Sequence, residues 1–319
     1  MIIWLIAGCF LFTIGIPAIA PVHQSTSWVF TSFNNSTGYD NVALVFFLGL
    51  LQSGWTLVGY DGGITLSENT KDADREGPRG ILLCVIFAVI QGIALTIAVL
   101  FSIQDLDGLL NADLPVSEFF FQVTRNRALS TFFLVFLAVA QFGSLANASV
   151  ANCRLMFAMA RDGCLPYSKF FYKLEKGDVP LRIIVLQIIL MIILILPVFG
   201  TMIYWTAVLS ASVICCNVAY GMPLICRLLW SRHSMPKGPF DLGRWSVPIN
   251  VIALLWIVFF GIILCFPSVS PVSADSMNYA SLMIGTVFLF SVICWITTGH
   301  KTYKGPISNI DDDDDDLHS

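Results

Sequence analysis

Trp55-Thr56-Leu57-Val58-Gly59-Tyr60-Asp61-Gly62-Gly63 closes an apolar segment that begins at Val42. Glycine in a helix interior costs about 1 kcal/mol against alanine, and a carboxylate near hydrocarbon is costlier still. A segment that accepts both reads as an interrupted helix whose freed backbone groups line a cavity instead of lipid. Discontinuous helices of this kind are where secondary transporters place their substrate sites.

The rest of the chain fits a membrane setting. Of its 319 residues 56% are hydrophobic and 12% charged, against about 25% charged in soluble domains; the mean hydropathy is +0.79. Apolar runs of bilayer length, about 20 residues, recur as Ile2–Ala20, Val42–Asp61, Gly80–Ser102, Leu129–Ala160, Ile183–Phe199, Ile203–Cys226, Ile249–Phe266 and Tyr279–Thr298. The predicted fold class is therefore an all-α polytopic membrane protein of about eight spans. One membrane domain covers residues 1–304, followed by an acidic tail, 305–319, that contains Asp311–Asp316 and is expected to be disordered and solvated.

Lysine and arginine set the orientation. Positive charge collects in the segments 62–79 (Lys71, Arg75, Arg79), 161–182 (Arg161, Lys169, Lys173, Lys176, Arg182) and 227–248 (Arg227, Arg232, Lys237, Arg244). The segments 21–41 and 267–278 contain neither residue, and 103–128 sets Arg125 and Arg127 against four carboxylates. Positive segments alternate with poor ones, which places the former and both termini in the cytoplasm. The sequons at Asn34 and Asn35 fall in a predicted outer loop and agree with this. Ile2–Ala20 ends like a signal-peptidase site, but without a positive leading region it reads as a retained span.

Nine cysteines, eight of them within apolar runs, read as small core residues and not as a disulfide framework. His23, His233, His300 and His318 are scattered outside the spans, so neither a haem nor a histidine metal site is expected, and no cofactor is implied. No nucleophile–base pair, phosphate-binding loop or metal spacing argues for an enzyme, and nothing points to nucleic acid.

Three features could carry transport chemistry. Ser144, Asn147, Ala151 and Arg154 share one face of a helix; small and polar residues there serve helix packing or line a transport path. Asp61 could bind a cationic substrate, take up a coupling proton, or cap the following segment, while Glu68 lies among surface charges. Trp55 beside Gly54 and Gly59 is either a packing residue or a gate.

Together these residues resemble the amino acid–polyamine–organocation transporter superfamily, and specifically the fungal amino acid/choline permeases. The resemblance rests on Trp55–Asp61 with Ser67-Glu68 and Pro78–Ile81, on Phe142–Ser144 with Ser149–Arg154 and Ala160–Pro166, on Gly238–Arg244, and on Pro267–Tyr279. It implies a five-plus-five inverted-repeat fold in which the eight spans match helices five to twelve. Val42–Asp61 is then similar to the family's broken sixth helix. Trp55 falls where relatives carry an aromatic that closes over the substrate, Thr56, Leu57, Val58 and Gly59 match the unwound backbone that contacts it, and Asp61 matches a position linked to proton coupling. The run Leu129–Ala160 resembles the helix beside the site, giving Ser144 and Asn147 a cavity face.

The resemblance also implies that the first four helices of the pattern, which bring the other half of the site, have no counterpart here. Two functions are expected. One is a secondary transporter of a small amino acid or amine, 4-aminobutyrate-like or choline-like, in a plasma or vacuolar membrane. The other is a truncated or degenerate copy that acts as a partner of a full-length carrier.

Overall fold

Helices dominate the computed structural model of this chain, which describes residues 8–63, 71–175, 179–230, 238–273 and 276–305. Among these residues the only β pairing is one bridge between Glu175 and Val179. In chain order the helices are α1 (Gly8–Ile19), α2 (Thr26–Thr31), α3 (Val42–Thr56), α4 (Ala73–Ser102), α5 (Leu106–Leu110), α6 (Pro115–Thr124), α7 (Arg127–Arg161), α8 (Ser168–Phe171), α9 (Leu181–Ile195), α10 (Met202–Leu229), α11 (Ser246–Ile263) and α12 (Ala280–Cys294). A π turn, Trp295–Gly299, and a last helical turn, His300–Thr302, prolong α12.

Seven of the described helical segments are long and apolar enough to cross a bilayer. The expected first span is described only from Gly8, as the shorter apolar helix α1. The expected boundaries move where polar residues extend a helix beyond its apolar run. The helix α4 starts at Ala73 and not at Gly80, because Pro78 falls early in it and releases only the Asp74 carbonyl. Glu68 and Asp311–Asp316 lie outside the described residues.

The chain divides into two compact units, Met1–Ser36 with Gln52–Ala148, and Thr37–Leu51 with Ser149–Ser319. In the first, Phe12 of α1 meets Phe120 of α6 and Phe133 and Phe136 of α7, with ring centroids 5.4–5.8 Å apart. Four residues of α-helix overshoot one turn by about 40°. The π turn Leu11–Gly15 winds more widely and offsets that drift, so Phe12, Ile16 and Ala20 are all buried. Gly8 lets α1 approach α7, since a Cβ there would meet Phe136 at 2.3 Å. Gln91 of α4 donates to the Cys9 carbonyl (3.1 Å) and to Thr13 Oγ1 (2.7 Å), tying α4 to α1.

At the other end of α1 the side chain of Gln24 donates to the Ile103 carbonyl (2.9 Å), and that of Gln104 to the Val22 carbonyl (2.7 Å). The segment between α4 and α7, expected as a loop, instead forms α5 and α6. Asp105 accepts from Gly108 N to cap α5, and α6 buries Phe119, Phe120 and Val123.

In the second unit α10 packs on α11 and α12 through Ala211, Val213, Ile214, Phe260, Leu264 and Ala280. Lipid gives helices little hydrophobic reason to associate, so small residues that allow close approach decide such contacts; Ala280 is fully buried there. The connector between α11 and α12 is closed by Asn278. Its Nδ2 donates to the carbonyls of Leu264 (2.7 Å) and Phe266 (3.2 Å), and its Oδ1 accepts from Ala280 N (3.0 Å).

Two connecting segments clasp each other within this unit. Ser270 N donates to the Thr37 carbonyl (2.7 Å), and Tyr39 OH to the Pro267 carbonyl (3.1 Å). Only glycine fits at position 38, where a Cβ would lie 2.1 Å from the Ser270 carbonyl oxygen.

Asn278 completes two helix ends at once, so Asn278→Ala should destabilise the protein by about 1–3 kcal/mol. The thermal unfolding midpoint in detergent should fall accordingly; an unchanged midpoint would refute this role.

Candidate functional site

The end of α3 is built by a change in hydrogen-bond step. Leu57 N still donates to the Ser53 carbonyl (3.1 Å), four residues back, but Val58 N turns to Trp55 O (3.5 Å), three back. Gly59 then adopts φ +91°, a left-handed conformation that an L side chain resists. The chain resumes as one tight turn over residues 60–63, with Gly62 N donating to the Gly59 carbonyl at 3.3 Å. The apolar helix therefore stops at Thr56, within the segment Val42–Gly63 that is long enough to span.

This geometry gives the end of α3 a chemical character. A helix C-terminus carries about half a negative charge on carbonyls outside the ladder. The Gly54 carbonyl is passed over when Val58 N turns to Trp55. Asp61, half-buried a few residues on, adds a carboxylate. Two negative features at the end of an apolar segment suit a positively charged group.

The sequence-predicted residues fall into distinct environments. Trp55 and Val58 are 38% and 37% exposed. Leu57 is half-buried, and Gly59 is exposed with open space around it. Thr56 is exposed, with Oγ1 donating back to the Gln52 carbonyl (2.9 Å) and its methyl lying against α4. A Cβ on Gly92 of α4 would come within 2.8 Å of that methyl. Ser144 and Asn147 are exposed on the middle of α7. No described helix covers these two side chains.

Another concavity of the first unit lies elsewhere. A cavity of about 460 Å³ sits among α1, α4, α6 and α7, lined by Phe12, Leu95, Val99, Phe119, Phe136 and other carbon side chains. Its one amide, Gln91, is already bonded to Cys9 and Thr13. A pocket without a spare polar group cannot orient a zwitterion or an ammonium. The break in α3 is the better candidate.

Sequence reasoning missed Gly92, whose signal was a lone glycine in an apolar run opposite the break. It also missed the partner of Gly163 in Ala160–Pro166. Thr302 Oγ1 donates to the Gly163 carbonyl at 2.6 Å, a contact that sequence separation hides.

A family model described as "Amino acid permease" matches residues 1–289. An amino-acid permease of Oryza sativa subsp. japonica is 32% identical over 97% of the chain and 61% of its own length. One of Arabidopsis thaliana is 29% identical over 97% and 62%, and a choline transporter of Saccharomyces cerevisiae is 27% identical over 92% and 53%. The chain thus spans about six-tenths of the length of the first of these relatives. They come from plants as well as fungi. No solved structure matches the chain.

The break makes separable demands on its glycines. Gly59→Ala forces a positive φ on a side chain and should cost about 1–2 kcal/mol. Gly62→Ala meets nothing within 4 Å and should be nearly neutral. Equal losses of unfolding midpoint for the two variants would show that the Gly59 backbone does not set the break.

Proposed function

Because the chain belongs to the amino acid permease family, we propose that it is a secondary transporter, or the portion of one that carries the broken helix. Its substrate is an amino acid or a related amine, and it works by alternating access around α3. The observation that carries this reading is the arrest of an apolar spanning helix at Thr56, with Gly59 at φ +91°.

In this reading the carbonyl end of α3 holds the ammonium of the substrate, as the carbonyl ends of broken helices coordinate cations in other carriers. Backbone from Thr56 to Gly59 contacts the substrate, and Trp55 closes over it. Asp61 balances the positive charge and exchanges the coupling proton. Ser144 and Asn147 on α7 supply hydroxyl and amide groups to the same path. The Ser144 hydroxyl and the Asn147 amide can donate to a substrate carboxylate where there is one. The choline transporter among the relatives supports a cationic substrate without a carboxylate as well as an amino acid.

A second reading is a membrane protein that works only beside a complete carrier. The exposure of Trp55, Ser144 and Asn147 favours it.

Uptake of labelled 4-aminobutyrate, choline and basic amino acids by cells expressing the chain separates the two. Saturable uptake of at least one is expected. Its absence, with the protein shown to be in the membrane, would sink the claim that this chain suffices, and uptake seen only with a co-expressed full-length carrier would support the second reading. Trp55→Ala should lower the uptake rate about tenfold or more if it removes a closing contact worth ~1.4 kcal/mol; unchanged kinetics would remove Trp55 from the gate.

A further inference from the structure

The segment Arg161-Asp162-Gly163-Cys164-Leu165-Pro166 has no role in the transport reading, yet its backbone is tightly specified. It ends α7 in a left-handed cap: Gly163 has φ +79°, Gly163 N donates to the Ala160 carbonyl (3.3 Å), and Cys164 N to the Met159 carbonyl (2.9 Å). Asp162 is held by Arg161, whose Nε donates to Oδ1 at 2.9 Å. The end of the last helix rests on this cap. Thr302 Oγ1 donates to the Gly163 carbonyl (2.6 Å), and a Cβ on Gly163 would lie 2.8 Å from the Thr302 carbonyl oxygen. Glycine is thus required twice, for its φ and for the approach of Thr302.

Two features make this contact reversible. The same Thr302 hydroxyl lies 3.1 Å from the Thr298 carbonyl of its own helix. Its single proton favours the shorter contact, to Gly163, so the longer one to Thr298 replaces that bond only in part when the end of the helix leaves the cap. The helix also holds slack just before Thr302, in the π turn Trp295–Gly299. His300 N and the His300 ring both reach the Trp295 carbonyl, the ring at 3.0 Å. The indole of Trp295 packs over Gly299 and edge-on to Tyr303, with ring centroids 6.1 Å apart. Turning the π turn into ordinary α-helix would rotate Thr302 by about 100°, one residue of helix, away from the α7 cap.

We propose that Gly163 and Thr302 form a two-state latch at the charge-assigned cytoplasmic end of the second unit, in which a register change in the π turn releases the end of the last helix from the α7 cap. The closed state shields the next residue, Cys164. This thiol is half-buried, and burial, together with the neighbouring Asp162 carboxylate, pushes its pKa up. Closed, the latch covers the thiol and slows its reaction. Open, it exposes the thiol to water and to reagents. The inference does not depend on the substrate reading and would survive its failure.

The test is the rate at which Cys164 of the full chain in opened membranes is labelled by a charged, water-soluble maleimide, with Cys164→Ser giving the background from the other cysteines. Thr302→Ala should label faster, by up to about fivefold, the factor that loss of one whole hydrogen bond gives. Thr302→Ser, which keeps the hydroxyl, should label at the wild-type rate. Deleting Ile296, which removes the extra residue of the π turn, should accelerate labelling as Thr302→Ala does. Wild-type rates in Thr302→Ala would overturn the latch, as would a Thr302→Ser variant that labels as fast as Thr302→Ala. A deletion variant that labels at the wild-type rate would overturn the register change.

Discussion

Hydrocarbon offers a backbone nothing to bond with, so a chain that crosses it must satisfy its own N–H and C=O groups. The spanning helices obey that constraint almost everywhere, and their departures are few and local. One is the stop at Thr56, where the hydrogen-bond step shortens and Gly59 turns left-handed. Others are the π turns of α1 and of the extension to α12, where the step lengthens instead. The two kinds differ in consequence. A shortened step with a left-handed residue ends the ladder and leaves carbonyls for another partner. A lengthened step keeps the ladder and changes only which face the following residues present.

The same solvent removes the usual reason for helices to associate, and glycine supplies much of the replacement. Gly8 admits Phe136, Gly92 admits the methyl of Thr56, and Gly163 admits the carbonyl of Thr302. Each is a point where a single added carbon would meet an atom closer than 3 Å. Gly62 and Gly63, by contrast, face open space. Glycines that look alike in the sequence thus answer two different demands, one for contact and one for conformation or freedom.

The fold class and most spans were legible from hydropathy because the bilayer imposes a length on each apolar run. The break in α3 was legible for the same reason, as glycine and aspartate are conspicuous inside such a run. Less legible were the helix ends, since Ala73–Arg79 and Arg227 continue a helix with polar residues that hydropathy reads as loop. The amphipathic helix α6 was hidden by its shortness, although Phe119, Phe120 and Val123 already lie on one face. The partners of Gly92 and Gly163 were not legible at all, because a close approach between distant segments leaves no periodic mark on either. For the site, sequence marked Trp55–Asp61, and the helix stops within that stretch, at Thr56. It did not reveal that Thr56 packs against α4, or that Ser144 and Asn147 are exposed.

The connector around Asn278 also bears on the order in which the second unit assembles. Its hydrogen bond to the Leu264 carbonyl closes a loop of only 14 residues, while that of Tyr39 to the Pro267 carbonyl closes one of 228. Loop closure becomes costlier in chain entropy as the loop lengthens, and local contacts form sooner than distant ones. The α11–α12 connector is therefore a local folding unit that can form before the clasp. That clasp needs a segment made early in synthesis to wait for one made late, and it is among the last contacts to close.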